Sequence, residues 1–170
     1  FNTAIALAGI NALQLGLQQL VVSVQEIDKE VTELRKVTNL SGSDIDAFLT
    51  EASGRAANLG ASLSDIIAAT SDAAKLGYDI EDASTLGDVA TLYKNVADDI
   101  SNIEDASSAL FGTAAGFGVE AQDMLKIVDA FNEVANRTNV DTGDLGEAMR
   151  RSSAALAEAN NSMEESIGLV

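Results

Sequence analysis

The side chains of this sequence that could carry chemistry are carboxylates, and they occur in two clusters. Carboxylate oxygens bind calcium, but a calcium site needs about six to eight oxygens supplied by a loop. The first cluster is predicted to start a helix, opened by Asp99, where the helix dipole favours negative charge. The second lacks the later glycine and glutamate of a calcium loop. We therefore expect no metal site and no cofactor. The clusters are Asp98-Asp99 with Glu104-Asp105, and Asp141-Thr142-Gly143-Asp144.

Other catalytic groups are scarce. The sequence contains no histidine and no cysteine, which excludes thiol nucleophiles, imidazole bases and the usual nitrogen or sulfur metal ligands. A carboxylate pair for glycoside hydrolysis stays open, yet no two acids stand out from the rest. No glycine-rich phosphate loop follows a strand. We expect the protein not to be an enzyme.

The charge of the chain restricts its partners. Its 170 residues carry a net charge of −17, and the sequence pI is near 4.1. Such a surface repels phosphates and should not bind DNA or RNA tightly. Two interpretations stay open: the charge keeps the protein soluble, or it lets a polyanion slide past without sticking.

The composition predicts an all-α fold. There is no proline, where average usage of about 5% would give roughly eight, and alanine is abundant. We predict a long N-terminal amphipathic helix, coiled-coil-like, over residues 1–38. A compact array of helical hairpins is predicted over 39–170. Because the chain starts at Phe1 and stops within an apolar pattern, we interpret it as a segment of a longer protein.

Eight apolar residues near the N-terminus recur at alternating intervals of three and four. This seven-residue repeat keeps one apolar seam along a helix and favours supercoiling with neighbouring helices. A helix that buries the stripe on its own domain is the alternative. Because the stripe runs for about four heptads, more than the next helix can cover, we favour self-association. The predicted oligomerisation seam is Ile10, Leu13, Leu17, Leu20, Val24, Ile27, Val31 and Leu34.

The first 25 residues carry no charged side chain. The run is long enough for a membrane span of about 20 residues, but its asparagines and glutamines are costly in hydrocarbon. A helix apolar on both sides should be enclosed by partner chains, a tube wall or lipid. A membrane-active or pore-forming segment is therefore a second hypothesis, with contact through residues 1–25.

The rest of the chain reads as short helices separated by turns. Ser43, Ser62 and Asp79 are predicted N-caps, and Ser162 with Glu165 is a predicted capping box. A helix is predicted over 120–136, with an inward stripe of Met124, Ile127, Val128, Phe131 and Val134. Helices end in apolar-glycine pairs, after which an acidic residue starts the next one. Most aromatic side chains are expected in the core. Phe117, on a glycine-flanked turn, is predicted to contact a partner.

Three blocks carry a family resemblance. They are Ser62-Leu63-Ser64-Asp65 leading to Ala74-Lys75-Leu76-Gly77-Tyr78-Asp79, then Ala115-Gly116-Phe117-Gly118-Val119, and Asn139-Val140-Asp141-Thr142-Gly143-Asp144-Leu145-Gly146-Glu147-Ala148-Met149. In order and rough spacing they resemble the conserved helical region of the phage tail tape measure protein family, of the type named after a lactococcal phage. Weaker similarity extends back through Leu40 to Gly60. The family often has a proline after the last block, where Ser153 and Ala154 stand here.

The resemblance implies a structural role in the tail of a long-tailed phage or a related particle. Such a chain is mostly extended helix inside the tail tube, and its length sets the tail length. It nucleates tube assembly at the tail tip and is released on DNA ejection, sometimes into the host envelope. The implied location is the tail lumen near the tip.

The resemblance also implies partners. They are copies of the chain itself, as a trimer or hexamer, the tail tube, and the tail-tip, distal tail and hub proteins, with DNA passing without tight binding. No catalytic residues are carried over. A helical scaffold module of cellular origin is the third hypothesis.

Overall fold

The structure is a computed structural model that describes residues 22–170. These residues form eight α-helices and one short 3-10 helix, and no strand occurs among them. The predicted all-α array is confirmed. The first helix, α1, is described from residue 22 to residue 37. The other helices are α2 (Gly42–Leu59), α3 (Leu63–Lys75), α4 (Ile80–Val96), α5 (Ile103–Phe117), α6 (Leu125–Arg137), α7 (Thr142–Glu158) and α8 (Met163–Ile167).

Side-chain caps start most of these helices by accepting N–H groups that the first turn leaves free. Ser62 and Asp79 cap α3 and α4, as the sequence predicted. The prediction that Ser43 caps α2 is wrong, because Ser41 is the cap and forms a reciprocal capping box with Asp44. Both serines have an aspartate three residues later, so the local pattern fitted both starts.

The start of α5 also differs from its prediction. Asp99 does not open this helix: Asn102 is the cap, and its side-chain oxygen accepts a 2.8 Å hydrogen bond from the Asp105 amide. Asparagine is as good a cap as aspartate. The helix therefore starts three residues later than predicted. Asp99 lies outside it and contacts α7 instead.

The helix predicted over 120–136 begins later than expected. A 3-10 turn, Ala121–Asp123, comes first, and α6 runs from Leu125 to Arg137. This tighter turn leaves Met124 buried at 1% exposure. The inward stripe predicted for this region is otherwise correct, since Ile127 and Phe131 are fully buried.

The main hydrophobic core lies among α3 to α8. Tyr93 and Phe131 are buried at its centre, with ring centroids 5.6 Å apart, a favourable separation for an aromatic pair. Alanines cover much of the facing surfaces of α3, α4 and α5, so these helices can pack closely. Other fully buried large side chains of this core are Leu86, Leu110, Met124, Ile127, Met149 and Ile167.

Two glycines allow the closest approaches between helices. A Cβ at Gly87 in α4 would lie 2.7 Å from the Thr70 hydroxyl and 2.9 Å from its amide nitrogen in α3. A Cβ at Gly116 in α5 would lie 2.9 Å from the Ala154 nitrogen in α7. Backbone atoms cannot move aside cheaply, so only glycine fits both helix crossings.

A second, smaller core joins α1 and α2 to the start of α3. Its buried side chains are Leu34, Ile45, Phe48, Ala52, Ala56, Ile66 and Ile67. Two polar contacts tie α2 to α4 beside it. The Asn95 amide donates a 2.8 Å hydrogen bond to the Leu59 carbonyl, and Arg55 lies 3.5 Å from Asp88. The first two helices therefore form a unit attached to the main array through α3 and α4.

Candidate functional site

The predicted oligomerisation seam divides into three parts in the structure. Its first four residues, Ile10, Leu13, Leu17 and Leu20, lie outside the described residues. Val24 is exposed, at 64%. The last three members face the smaller core: Ile27 and Val31 are half-buried against it, and Leu34 is fully buried. The C-terminal end of the seam is thus covered by the protein's own chain, and self-association stays a prediction for the part before it.

No helix within residues 22–170 covers the described start of α1. All five residues from 22 to 26 are exposed on every side of the helix, including Val22 at 51%. Apolar side chains this exposed are typical of a helix that continues into an interface. The boundary between the free and docked parts of α1 therefore falls between Val24 and Ile27.

The surface is acidic because carboxylates outnumber basic side chains, and most of the bases are paired within the chain. Nine of the ten bases have a carboxylate oxygen within 4.0 Å. The chain has 27 acids, so most carboxylates of residues 22–170 have no such partner. A polyanion meets net repulsion on such a surface. The pairs are Lys29–Glu30, Lys36–Glu33, Arg55–Asp88, Lys75–Asp72, Lys94–Asp65, Lys126–Asp123, Arg137–Glu133, Arg150–Glu147 and Arg151–Glu147.

Glu147 on α7 is the most strongly paired acid. Arg150 donates to it from Nε at 2.6 Å and from Nη2 at 2.9 Å, and Arg151 forms a second ion pair with it. Hydrogen bonds from Arg150 are the main cause that lowers the pKa of Glu147 to about 2. The carboxylate therefore stays ionised over the whole ordinary pH range.

The two acidic clusters described in the sequence meet at the start of α7. Both oxygens of Asp99 accept hydrogen bonds from the first turn of α7, from the Gly143 amide at 3.0 Å and the Asp144 amide at 3.1 Å. Carboxylate oxygens of Asp99, Asp141 and Asp144 lie within 4.8 Å of one another, and all three residues are exposed. In the described part of the chain these are the residues that could hold a cation. Of the three, Asp99 stabilises the N-terminus of α7 from a neighbouring loop, whereas Asp141 makes no side-chain capping hydrogen bond.

Phe117, the predicted partner contact, ends α5 beside two open grooves. It is half-buried against the main core, and Gly118 follows in the left-handed conformation with φ of +65°. One groove, of about 650 Å³, lies between α3, α5 and the α5–α6 connection. The other, of about 530 Å³, lies between that connection and α8. Both share Gly118, Val119 and Glu120.

Comparison with known proteins gives these surfaces a context. A family model described as phage-related minor tail protein matches residues 50–170. The chain belongs to this family. The match begins inside α2 and covers all helices from α3 to α8. No solved structure matches the chain.

Membership of the phage-related minor tail protein family gives the chain a structural role in a phage tail and places it in the virion. The resemblance seen in the sequence is thus confirmed at the level of a phage tail protein. Within residues 22–170, no helix combines the length and the apolar character needed to cross a membrane.

Sequence reasoning missed the contacts made between distant parts of the chain. The Asp99 cap joins residues 44 and 45 positions apart, and no local pattern encodes it. The burial of Leu34 was missed as well, although the turn at Leu40 to Ser43 gave a signal. A helix that reverses direction there brings its last turns against the next helix.

Proposed function

We propose that this chain is a segment of a tail tape measure protein. It helps to set tail length, nucleates assembly of the tail tube at the tip, and leaves when the DNA is ejected. The observation that carries the proposal is the exposed start of α1, where Val24 continues the heptad seam and Val22 is exposed beside it. Membership of a phage tail family supports it.

In this proposal α1 has two separate tasks. The repeat from Ile10 to Val24 meets copies of the same helix, in three or six strands. The turns from Ile27 to Leu34 fix the rod to the helical array through the smaller core. A rod docked in this way transmits its position to the array, which binds the tail-tip, distal tail or hub proteins.

The charge of the array suits a tail lumen. DNA must pass any protein that occupies the tube, and a binding surface for phosphates would slow it. Here the bases that could bind phosphate are mostly occupied by carboxylates of their own chain. The surrounding uncompensated acids repel DNA, so the array does not bind the DNA beside it in the tube.

Tail length in virions tests the proposal. Duplicating residues 3–37 in the parent protein adds five heptads, so the seam keeps its register. A helix extended along the tube would lengthen the tail by about 50 Å at 1.5 Å per residue. Tail lengths measured by electron microscopy check this.

The matched control is an insertion of equal length, made of glycine and serine, after Asn139 in the exposed turn between α6 and α7. Such an insertion lengthens a surface loop and should leave the tail unchanged. Tails of unchanged length after the heptad duplication, or equal lengthening by both insertions, would contradict the proposal.

Contact with the host membrane through residues 1–25 is the second candidate, favoured by the absence of charge in that stretch. Liposome flotation of the full chain tests it. Flotation that is lost after Leu13→Asp and Leu17→Asp would support membrane contact, and the absence of flotation would remove it. A tape measure segment can do both in sequence, first in the tube and then at the envelope.

A further inference from the structure

The larger of the two grooves beside Phe117 has an apolar floor that the chain itself leaves uncovered. Leu76 at its mouth is 60% exposed, although it follows directly on the last turn of α3. Phe111 and Met124 lie deeper and are nearly fully buried. An exposed leucine beside a concave apolar surface is typical of a binding groove rather than of a random surface position.

Local backbone geometry keeps the groove open. Gly118 ends α5 in the left-handed conformation, and Glu120 then takes an extended conformation with ψ of 157° before the 3-10 turn. This path packs Val119 against the main core, and Val119 lines the groove together with Leu76. On the opposite wall, Gly77 also has a positive φ, of +97°, and turns the backbone between Leu76 and Tyr78. The groove is therefore framed by two fixed turns.

The rim of the groove is negatively charged. Asp82 and Glu120 line it, both are exposed, and no basic residue of the described chain is among its lining residues. The adjoining groove adds Asp123 and Glu164, and its single base, Lys126, is paired with Asp123 at 2.8 Å. The two grooves together thus have an apolar floor and four carboxylates in their lining, of which only Asp123 is paired with a base.

We infer that this groove binds an amphipathic helix of another protein whose apolar side chains are flanked by lysines or arginines. Apolar groups would cover Leu76 and Val119, which line the groove, while the cations would pair with Asp82 and Glu120. Binding of a helix in an apolar groove with charge-matched edges is a common mode of recognition. The two turns fix the groove in advance, so little order is lost on binding.

A second copy of this chain fits the groove less well. Its described surface carries mostly uncompensated carboxylates, and a second acidic surface would be repelled by the rim. The inference does not depend on how the rod of α1 assembles, because the groove lies on the main array. It names the partner chemistry that would attach the array to its neighbours in the tail.

Binding of a defined probe tests the inference. The probe is a synthetic helix of about 14 residues that has leucines on one face and lysines beside them. Its affinity for the full chain is measured by calorimetry at low and physiological salt. A second peptide with glutamate in place of each lysine should bind far more weakly.

Two variants locate the site, and two controls match them. Leu76→Gln removes the apolar contact, and Asp82→Asn with Glu120→Gln removes the rim charge. Each should weaken binding of the probe about tenfold.

The two controls change exposed residues outside the groove. Leu125→Gln changes an exposed leucine, and Asp46→Asn with Asp129→Asn removes the same charge from other exposed sites. Each control should change affinity by less than about twofold.

Three results would overturn the inference: no binding of the basic probe, equal losses in groove variants and controls, or equal binding of the acidic peptide. A mass of the probe-free protein that falls on Leu76→Gln would show a second copy in the groove instead. Since all substituted side chains are exposed, circular dichroism and melting temperature should stay unchanged and report the fold separately. A negative result for the groove would not bear on the proposed self-association of α1, which the mass of the protein tests separately.

Discussion

The hydroxyl of Tyr93 donates a 2.6 Å hydrogen bond to the backbone carbonyl of Thr142. Tyr93 is fully buried in α4, and Thr142 is the first residue of α7. Burial raises the pKa of the Tyr93 hydroxyl, so it stays protonated and keeps donating. Asp99 holds the same turn of α7 from outside. The start of α7 is thus fixed from two sides by residues of the α4–α5 region.

The space around the Tyr93 hydroxyl should tolerate no added methyl group. A Cβ at Gly146 would overlap that hydroxyl and lie 3.0 Å from the Ala109 Cβ. Gly146→Ala should therefore lower the free energy of unfolding by about 1–3 kcal/mol, and Tyr93→Phe by about 1 kcal/mol. In the double variant the loss should be smaller than the sum, because the clash is with the hydroxyl. Urea unfolding measures all three, and strict additivity would contradict this geometry.

The unit of α1 and α2 should open more easily than the main array. Leu34→Ala removes a fully buried side chain from the smaller core and should cost about 2–5 kcal/mol there. Hydrogen exchange should then show faster exchange in α1 and α2, with α5 and α7 still protected. Leu110→Ala, a matched change in the main core, should reduce protection throughout. Equal loss of protection everywhere after Leu34→Ala would show that the two cores are one cooperative unit.

The ion pair between α2 and α4 should contribute little to stability. Burial raises the pKa of Asp88 in spite of Arg55, so the ionised carboxylate is less favourable in the folded protein than in the unfolded chain. Arg55→Met with Asp88→Leu should change the free energy of unfolding by less than about 1 kcal/mol, or increase it. Arg55→Met alone should cost about 1–2 kcal/mol, because it leaves Asp88 unpaired. Thermal unfolding compares the two variants. A double variant that loses more stability than Arg55→Met alone would contradict the expectation that the pair contributes little.

The pairing of Glu147 should make stability depend on pH in acid. Its pKa is lowered to about 2 in the folded protein, so its contribution is present above the ordinary value for a glutamate. That contribution is lost as the pH falls through the folded value. Glu147→Gln should therefore lower the melting temperature at about pH 6 and have little effect near pH 2. Glu133→Gln, at another exposed pair, is the control. An equal drop in the melting temperature of Glu147→Gln at both pH values would contradict this pairing.

Features encoded by short spacings could be predicted from the sequence. The caps at Ser62 and Asp79, the inward stripe of α6 and the capping box at Ser162 all depend on residues within one or two turns. Such signals are local, so the backbone follows them wherever the helix lies. The competing caps at Ser41 and Ser43 show the limit, since two serines with the same spacing to an aspartate cannot be ranked locally.

Features that depend on packing could not be predicted. The heptad stripe of α1 looks continuous up to Leu34. The turn after α1 indicates that its end meets the next helix, but only the fold shows that the covered part extends back to Ile27. Likewise, nothing near Asp99 indicates that it caps a helix more than 40 residues away. Phe117 was singled out by its flanking glycines, whereas the groove beside it depends on Leu76, whose exposure has no sequence signal.

The mass of the full chain in solution, measured by light scattering after size exclusion, tests the self-association of α1 most directly. The account predicts three or six times the 17.6 kDa of one chain. It predicts a single chain after Leu13→Asp and Leu20→Asp, and an unchanged multiple after Val140→Asp, which alters an exposed valine of the array. A mass of 17.6 kDa for the unaltered protein, or a multiple that survives both seam substitutions, would contradict it.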